Sequence, residues 1–276
     1  MTLFLVATPI GNLGDLSPRA METLNTADVI ACEDTRRTGR LLAHAGITER
    51  TLMVANDHTE AAAAQKVVEL LDAGQCVAVV TDAGLPGISD PGEVMAAAAI
   101  AAGHVVTVIP GPSAGVTALV GSGLPTSRYV FEGFLPRKGR ARAERLLELA
   151  SERRTIVVYE SPRRVGRTLT DLANVCGLDR PVAVARELTK LHEEWWRGTL
   201  AIGADRFGDD AQTALKGEMV VVVAGAPAPE AATDDDVVAQ LRAALADGES
   251  TRDAVASVAA RLGVARNRAY ELANEL

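Results

Sequence analysis

The sequence predicts an α/β protein: two halves, each a sheet with helices against it, followed by a small helical module. Three observations predict it. Short β-branched apolar runs alternate with alanine- and leucine-rich stretches of helical period over about four-fifths of the chain. Apolar residues make up 48% of the 276, enough for a sizeable core, which rules out global disorder. A proline- and alanine-rich segment that turns acidic at 234–236 then precedes a tail that reads only as helices.

In the first half the expected strands are Leu3–Ala7, Val29–Cys32, Thr51–Val54, Cys76–Thr81 and Val105–Ile109. Helical patterns such as Thr59–Ala73 and Glu93–Ala102 lie between them. This βαβα rhythm implies a largely parallel sheet covered on both faces. After Pro125 a second, less regular series begins. Its strands fit Tyr129–Phe134, Thr155–Glu160, Val182–Glu187 and Met219–Ala224, its helices Arg140–Glu152 and Arg163–Val175, and Trp195–Ile202 suits an antiparallel strand. In the tail, Asp253–Ala260, the turn Leu262-Gly263-Val264 and Asn267–Asn274 resemble a helix–turn–helix. The expected organisation is therefore a domain at 1–122, a second at 123–226, a linker at 227–236 and a helix–turn–helix-like module at 237–276.

Composition excludes several functions. Aromatics are only 3%, too few for a broad base-stacking surface. With 28 basic and 36 acidic residues the net charge is −8, so any polyanion must be met by a local basic patch. Cys32, Cys76 and Cys176 are far apart and match no zinc spacing, and His44, His58, His104 and His192 form no HxxH or HExxH pattern, so no metal is expected. No apolar run is long enough to span a bilayer, and Met1–Val6 lacks the features of a signal peptide. The expectation is a cytoplasmic protein.

In open α/β sheets ligands bind beyond the carboxyl ends of strands. Those positions hold TPIGNLGD at 8–15, EDTRR at 33–37, DAGLPGISDPG at 82–92 and PGPSA at 110–114 in the first half, and ESPRR at 160–164 and RELTK at 186–190 in the second. Glycine admits close backbone approach and proline fixes loop shape in advance; the same residues also simply make turns. Ser113 and the amides after it begin an expected helix, a natural seat for a carboxylate or phosphate. Neither G-x-G-x-x-G nor G-x-x-x-x-G-K-[ST] occurs, so a small zwitterionic cofactor is favoured over a nucleotide held by its phosphates.

TPIGNLGD, EDTRRTGRLL at 33–42, TDAGLPGISDPG at 81–92, IPGPSA at 109–114, FLPRKG at 134–139, YESPRR at 159–164 and ARELTKLHEE at 185–194 closely resemble the ribosomal RNA small subunit methyltransferase I family. The resemblance implies the tetrapyrrole-methylase fold, with S-adenosylmethionine in a cleft between two α/β domains. It implies 2′-O-methylation of a cytidine ribose in 16S rRNA near the decoding centre, on the assembled small subunit, by a homodimer. By position in the matching motifs, Pro9, Asp90, Pro91, Glu93, Ser113, Ala114, Tyr159 and Ala185 are the implied cofactor contacts.

The reaction must align oxygen, methyl carbon and sulfur and dispose of one proton. Glu33, Asp34, Glu187 and Lys190 all follow strand ends and are candidates to take it; Glu33 and Lys190 lead. A lysine serves only where burial or neighbouring cations depress its pKa. For RNA, residues 137–167 hold ten basic and four acidic residues, a local +6 against −14 elsewhere. Arg36, Arg37 and Arg40 form a second cluster, and Arg163, Arg164 and Arg186 flank the expected cleft. The glutamates interleaved along Arg140–Arg154 equally suit a solvated helix face, and the tail either contacts RNA or serves as a packing module. Two other readings stand: a corrin or porphyrin-precursor methyltransferase of the same fold, and a ligand-sensing duplex DNA binder.

Overall fold

The computed structural model describes residues 1–56, 59–208, 216–228 and 232–276. His58 and residues 229–231 of the expected linker lie outside them. The described chain forms two compact units, Met1–Ala226 and Pro227–Leu276.

In the first unit, β1 (Thr2–Val6), β2 (Val29–Cys32), β3 (Thr51–Val54), β4 (Val77–Val80) and β5 (Val105–Ile109) make an all-parallel sheet of order β3-β2-β4-β1-β5. Every residue of β2 and β4 is buried, as strands covered on both faces require, whereas the edges β3 and β5 stay partly exposed. One face packs on α1 (Pro18–Thr26) and α2 (Thr35–His44), the other on α3 (Glu60–Asp72) and α4 (Glu93–Ala101). Polar residues mark the starts: Ser17 accepts from the Ala20 amide ahead of α1, and Asp34 from the Arg36 amide ahead of α2.

The second sheet has the order β6-β7-β10-β8-β9, from β6 (Tyr129–Phe134), β7 (Thr155–Glu160), β8 (Pro181–Arg186), β9 (Glu194–Thr199) and β10 (Met219–Val223). Only β6 and β7 run parallel. The sequence places β7 and β8 on either side of a crossover, and β10 inserts antiparallel to both. The expected strand at Trp195–Ile202 ends instead at Thr199, whose hydroxyl accepts from the Ile202 amide and starts α8 (Leu200–Arg206).

Strand alternation divides the core of this sheet. Ile156, Val158, Val182, Val184, Val221 and Val223 face α6 (Gly139–Ala150), α7 (Val165–Cys176) and α8. Val157, Ala183, Ala185, Val220 and Val222 face α5 (Ala114–Ser122), which contributes Ala118 and Leu119. Thus α5, which precedes the expected boundary at 122/123, covers the second sheet and joins the two sheets into one unit.

The second unit holds α9 (Asp234–Ala246), α10 (Thr251–Leu262) and α11 (Arg266–Ala273), closed on Val237, Leu241, Val255, Val258 and Ala269. Thr233 and Asp236 form a reciprocal cap on α9, and Gly263 ends α10 at φ +65°. Among the described residues no helix is long and apolar enough to cross a membrane.

Candidate active site

The carboxyl ends of the two sheets meet around a cleft of about 370 Å³, within the range of small-molecule sites. The ends of β1, β2, β4, β5, β6 and β7 and the start of β10 contribute to it. After β1, Thr8 and Gly84 exchange backbone hydrogen bonds (Thr8 N to Gly84 O 2.8 Å, Gly84 N to Thr8 O 3.1 Å), which places Ile10 and Ala83–Leu85 in the wall. After β2 come Glu33 and Arg37; after β4, Asp82 and Ile88–Asp90; after β5, Ser113 and Ala114 at the start of α5. The second sheet adds Phe134, Tyr159–Pro162 and Gly217–Val220.

The two halves interlock through glycines. A Cβ on Gly11 would collide with the Lys190 side chain, and one on Gly121 with the Trp195 ring. A Cβ on Gly115 would lie 3.3 Å from Phe131 and 3.4 Å from the Tyr159 oxygen. The Gly115 amide instead donates to that oxygen at 3.1 Å, with Phe131 and Phe134 edge-on to the Tyr159 ring at 4.9 and 5.7 Å. Burial pushes the Tyr159 pKa up, so this phenol remains protonated. Three non-glycine residues around the cleft hold positive φ: Ser89 (+63°), Glu187 (+53°) and Thr189 (+66°). Such conformations cost about 1–3 kcal/mol each and concentrate at functional sites.

The wall is largely apolar, and five acidic residues line it: Glu33, Asp82, Asp90, Glu160 and Glu218. Glu160 is fixed by the Thr168 hydroxyl (2.7 Å), by its neighbour's amide at Ser161 (2.8 Å) and by Arg164 (3.2 Å). Burial raises the Asp82 pKa and outweighs the opposing Arg37.

The structure brings Asp90, Ser113, Ala114, Tyr159, Glu33 and Arg37 into the wall. It leaves others of the expected set outside it. Pro9 is buried and lines a neighbouring recess with Arg40; Ile10 takes its expected place. Pro91 is buried, its carbonyl closing the loop on the Gly87 amide at 3.1 Å. Glu93 is exposed on α4. Ala185 packs beneath the cleft, and alternation turns it toward α5.

Lys190, one of the two leading candidates to take the proton, stands between carboxylates rather than beside cations. Its ammonium lies 2.7 Å from Glu187 and 3.0 Å from Glu218. Burial alone would lower its pKa, but these carboxylates raise it.

Several of the expected arginines are engaged in ion pairs. Arg36 is 86% exposed yet holds Asp34 at 2.8 Å. Arg164 donates to the Leu135 carbonyl (2.8 Å) as well as pairing with Glu160, and Arg186 holds Glu194 at 3.0 Å. In the 137–167 patch Arg140, Arg142, Arg145, Arg154, Arg164 and Arg167 are all in ion pairs, and Arg142 is buried against Asp171 and Thr168. Arg137, Lys138, Arg153 and Arg163 make none among the described residues. Sequence reasoning missed Asp82, Glu160 and Glu218 as wall residues. The first two stand in quoted strand-end motifs, where position was the available signal; Glu218 carries none.

The family model for Tetrapyrrole (Corrin/Porphyrin) Methylases matches residues 2–202. The chain is 46% identical over 276 residues to the ribosomal RNA small subunit methyltransferase I of Synechocystis sp., covering 99% of this chain and 98% of that protein. It is 51% identical over 231 residues to the protein of the same name from Xylella fastidiosa (84% of each) and 46% identical over 271 residues to that from Mycobacterium tuberculosis (98% and 93%). Among solved structures it resembles the methyltransferase CobJ (TM-score 0.60, 20% identity, 81% of this chain and 94% of that one). It also resembles a Thermus thermophilus uroporphyrin-III C-methyl transferase complexed with S-adenyl homocysteine (TM-score 0.56, 18% identity, 80% and 96%). These structural likenesses show the fold alone.

Proposed function

The chain belongs to the ribosomal RNA small subunit methyltransferase I family of tetrapyrrole methylases, and from that premise we propose that it methylates the 2′-hydroxyl of a cytidine ribose in 16S rRNA, near the decoding centre of the assembled small subunit, with S-adenosylmethionine as donor. The observation that carries this reading is the cleft itself, a largely apolar site lined by carboxylates and a helix start, beside exposed arginines.

The donor set suits S-adenosylmethionine. Its ammonium matches Asp90, the proposed contact among the carboxylates that line the cleft. Its carboxylate matches the start of α5 at Ser113 and Ala114, and its adenine the apolar side made by Tyr159, Met219 and Val220. When bound, the donor supplies a methyl group made electrophilic by the positive sulfur. The chain's own part is to hold the acceptor oxygen in line, exclude water and take one proton. The interlocked glycines fix the loops before binding, so little ordering cost remains. Arg37 and Arg40, with the exposed Arg36 and Arg163, face the RNA backbone, where arginine suits phosphate.

A second copy of the chain is proposed on the apolar face of α5 and β6. Val116 and Val120 lie one turn apart on α5 and are exposed, as are Tyr129, Phe131 and Phe134 of β6. The β-bulge between Phe131 and Gly133 sets Phe131 and Phe134 on the same side, both against Tyr159.

The test of the reaction is transfer of labelled methyl to small subunits that lack the modification, followed by mapping of the label. Label on one cytidine ribose is expected. Label on a porphyrin precursor, with none on the subunits, would replace the reading by tetrapyrrole methylation.

A further inference from the structure

Arg37 and Asp82 line the cleft and also a second recess, of about 320 Å³. The recess is bounded by Thr8, Pro9, Leu13, Thr38, Arg40 and Leu41. It combines an apolar side with two arginines at α2, the chemistry that a nucleoside with flanking phosphates asks of a protein. Its size matches one small ligand. The wall it shares with the cleft is an ion pair, with an Arg37 nitrogen 3.2 Å from Asp82 Oδ2.

That pair is unequal. The Arg37 side chain is 64% exposed and that of Asp82 20%. Asp82 Oδ1 is buried and has no hydrogen-bond partner among the described residues. Most buried carboxylate oxygens are satisfied, so one that is not asks for a reason. Here one oxygen accepts nothing among the described residues, while the carboxylate takes the Asp34 amide and a surface guanidinium that can turn outward.

We propose that this recess seats the nucleotide that is methylated, and that Asp82, on the shared wall, takes the proton from its ribose hydroxyl. The inference rests on the reading above, of a sulfonium methyl donor in the cleft and an RNA ribose as acceptor. The hydroxyl oxygen forms a bond to the methyl carbon. The carbon–sulfur bond breaks with its electron pair staying on sulfur. The hydroxyl proton moves to the Asp82 carboxylate, so one positive and one negative charge vanish together.

Arg37 makes the step responsive to substrate. A phosphate beside the seated ribose competes with Asp82 for the guanidinium. Its withdrawal removes the cation that favours the charged carboxylate, and Asp82 becomes a stronger base when RNA is in place. The ionisable groups around Asp82 are Arg37 and Arg36, which favour its charge, and Asp34, which opposes it; Cys32 and Glu33 lie nearby. Burial is the largest influence and raises its pKa, in the direction a base needs.

The experiment compares the wild type with Asp82→Asn and Leu13→Trp as full-length proteins. It measures single-turnover transfer to unmodified small subunits across pH, donor affinity by calorimetry, and small-subunit binding by filter retention. For Asp82→Asn the saturating rate is expected to fall by about 10²- to 10⁴-fold, and the wild-type rise of rate with pH through the Asp82 ionisation to disappear. Donor and subunit binding should stay within about twofold, well under the tenfold that 1.4 kcal/mol represents. Leu13 is exposed, so its enlargement narrows the recess without touching the core. That variant should lose subunit binding while keeping donor affinity. A saturating rate near wild type in Asp82→Asn, a pH rise that survives there, or a rate loss matched by lost donor affinity overturns the proton role. Unchanged subunit binding in Leu13→Trp overturns the seat. Failure of the wild type itself to methylate small subunits removes the functional reading, and the inference with it.

Discussion

Lys190 and Glu187 sit 2.7 Å apart on the loop beyond β8, with Glu218 at 3.0 Å on the other side of the ammonium. Burial opposes the charge of Glu187, but Lys190 and the Glu218 amide outweigh it and lower its pKa. The same carboxylates raise that of Lys190. Glu187, depressed when folded, contributes stability above its unfolded value that is lost as pH falls through the folded one. Lys190, elevated when folded, contributes stability below its unfolded value that is lost as pH rises through the folded one. The pair therefore stabilises the loop across the neutral range. Since Glu218 reaches the cleft wall and Lys190 holds it, Lys190→Ala is expected to weaken donor binding by up to about tenfold, equivalent to about 1.4 kcal/mol. The saturating methyl-transfer rate should be preserved. Calorimetry and single-turnover kinetics separate these, and a saturating rate reduced by about a hundredfold or more would return Lys190 to the role of base.

The loop from Asp82 to Gly92 is the element that most shapes the cleft, and its closure depends on one glycine. Gly92 holds φ +145°, and a Cβ there would lie 2.7 Å from the Gly87 nitrogen and 3.0 Å from Pro86. The neighbouring amides are committed as well, since Gly92 N and Val94 N donate to Glu60 Oε1 at 2.7 and 3.2 Å. Gly92→Ala should destabilise the fold by about 1–3 kcal/mol, read by chemical denaturation, and weaken donor binding. Gly39→Ala in α2, where a Cβ meets nothing within 4 Å, should instead stabilise by about 0.5–1 kcal/mol; equal effects at the two sites would refute the closure argument. That loop also shows how far the sequence carries. Its place after β4 follows from a short apolar run, and the same signal locates the other strands of the first sheet. Which side chains enter the cleft does not follow, because one step along the chain turns a side chain away: Asp90 lines the wall and Pro91 does not. The insertion of β10 between β7 and β8 depends on pairing between distant segments, which local periodicity does not encode. Arginine pairing divides in the same way. Arg140 and Glu144, four apart on α6, are visible as a pair in the sequence, whereas Arg145 with Glu132 and Arg142 with Asp171 need the fold.

Over the first unit, charge and apolar surface divide the labour. With a net charge of −8 for the whole chain and most of the 137–167 arginines already paired, the proposed RNA engagement falls to the few arginines beside the cleft and recess. The apolar surface on α5 and β6 has a different use. Scattered exposed hydrophobics are ordinary, but a contiguous set is a docking surface, and Val120 is 70% exposed on a helix whose other side covers the second sheet. A second copy seated there would abut the cleft, because Ser113 and Ala114 begin the same helix and Phe134 lines the wall. A stable interface needs about 800 Å² from each partner, and a charge at its centre is costly to bury without a partner. Val120→Glu is therefore expected to convert the proposed dimer into a monomer in sedimentation velocity at micromolar concentration. Leu147→Glu is the matched control, equally exposed at 65% but on α6, which covers the opposite face of the second sheet; it should leave the dimer intact. A monomeric wild type, or a Val120→Glu variant that still sediments as a dimer, would overturn the dimer proposed for this face.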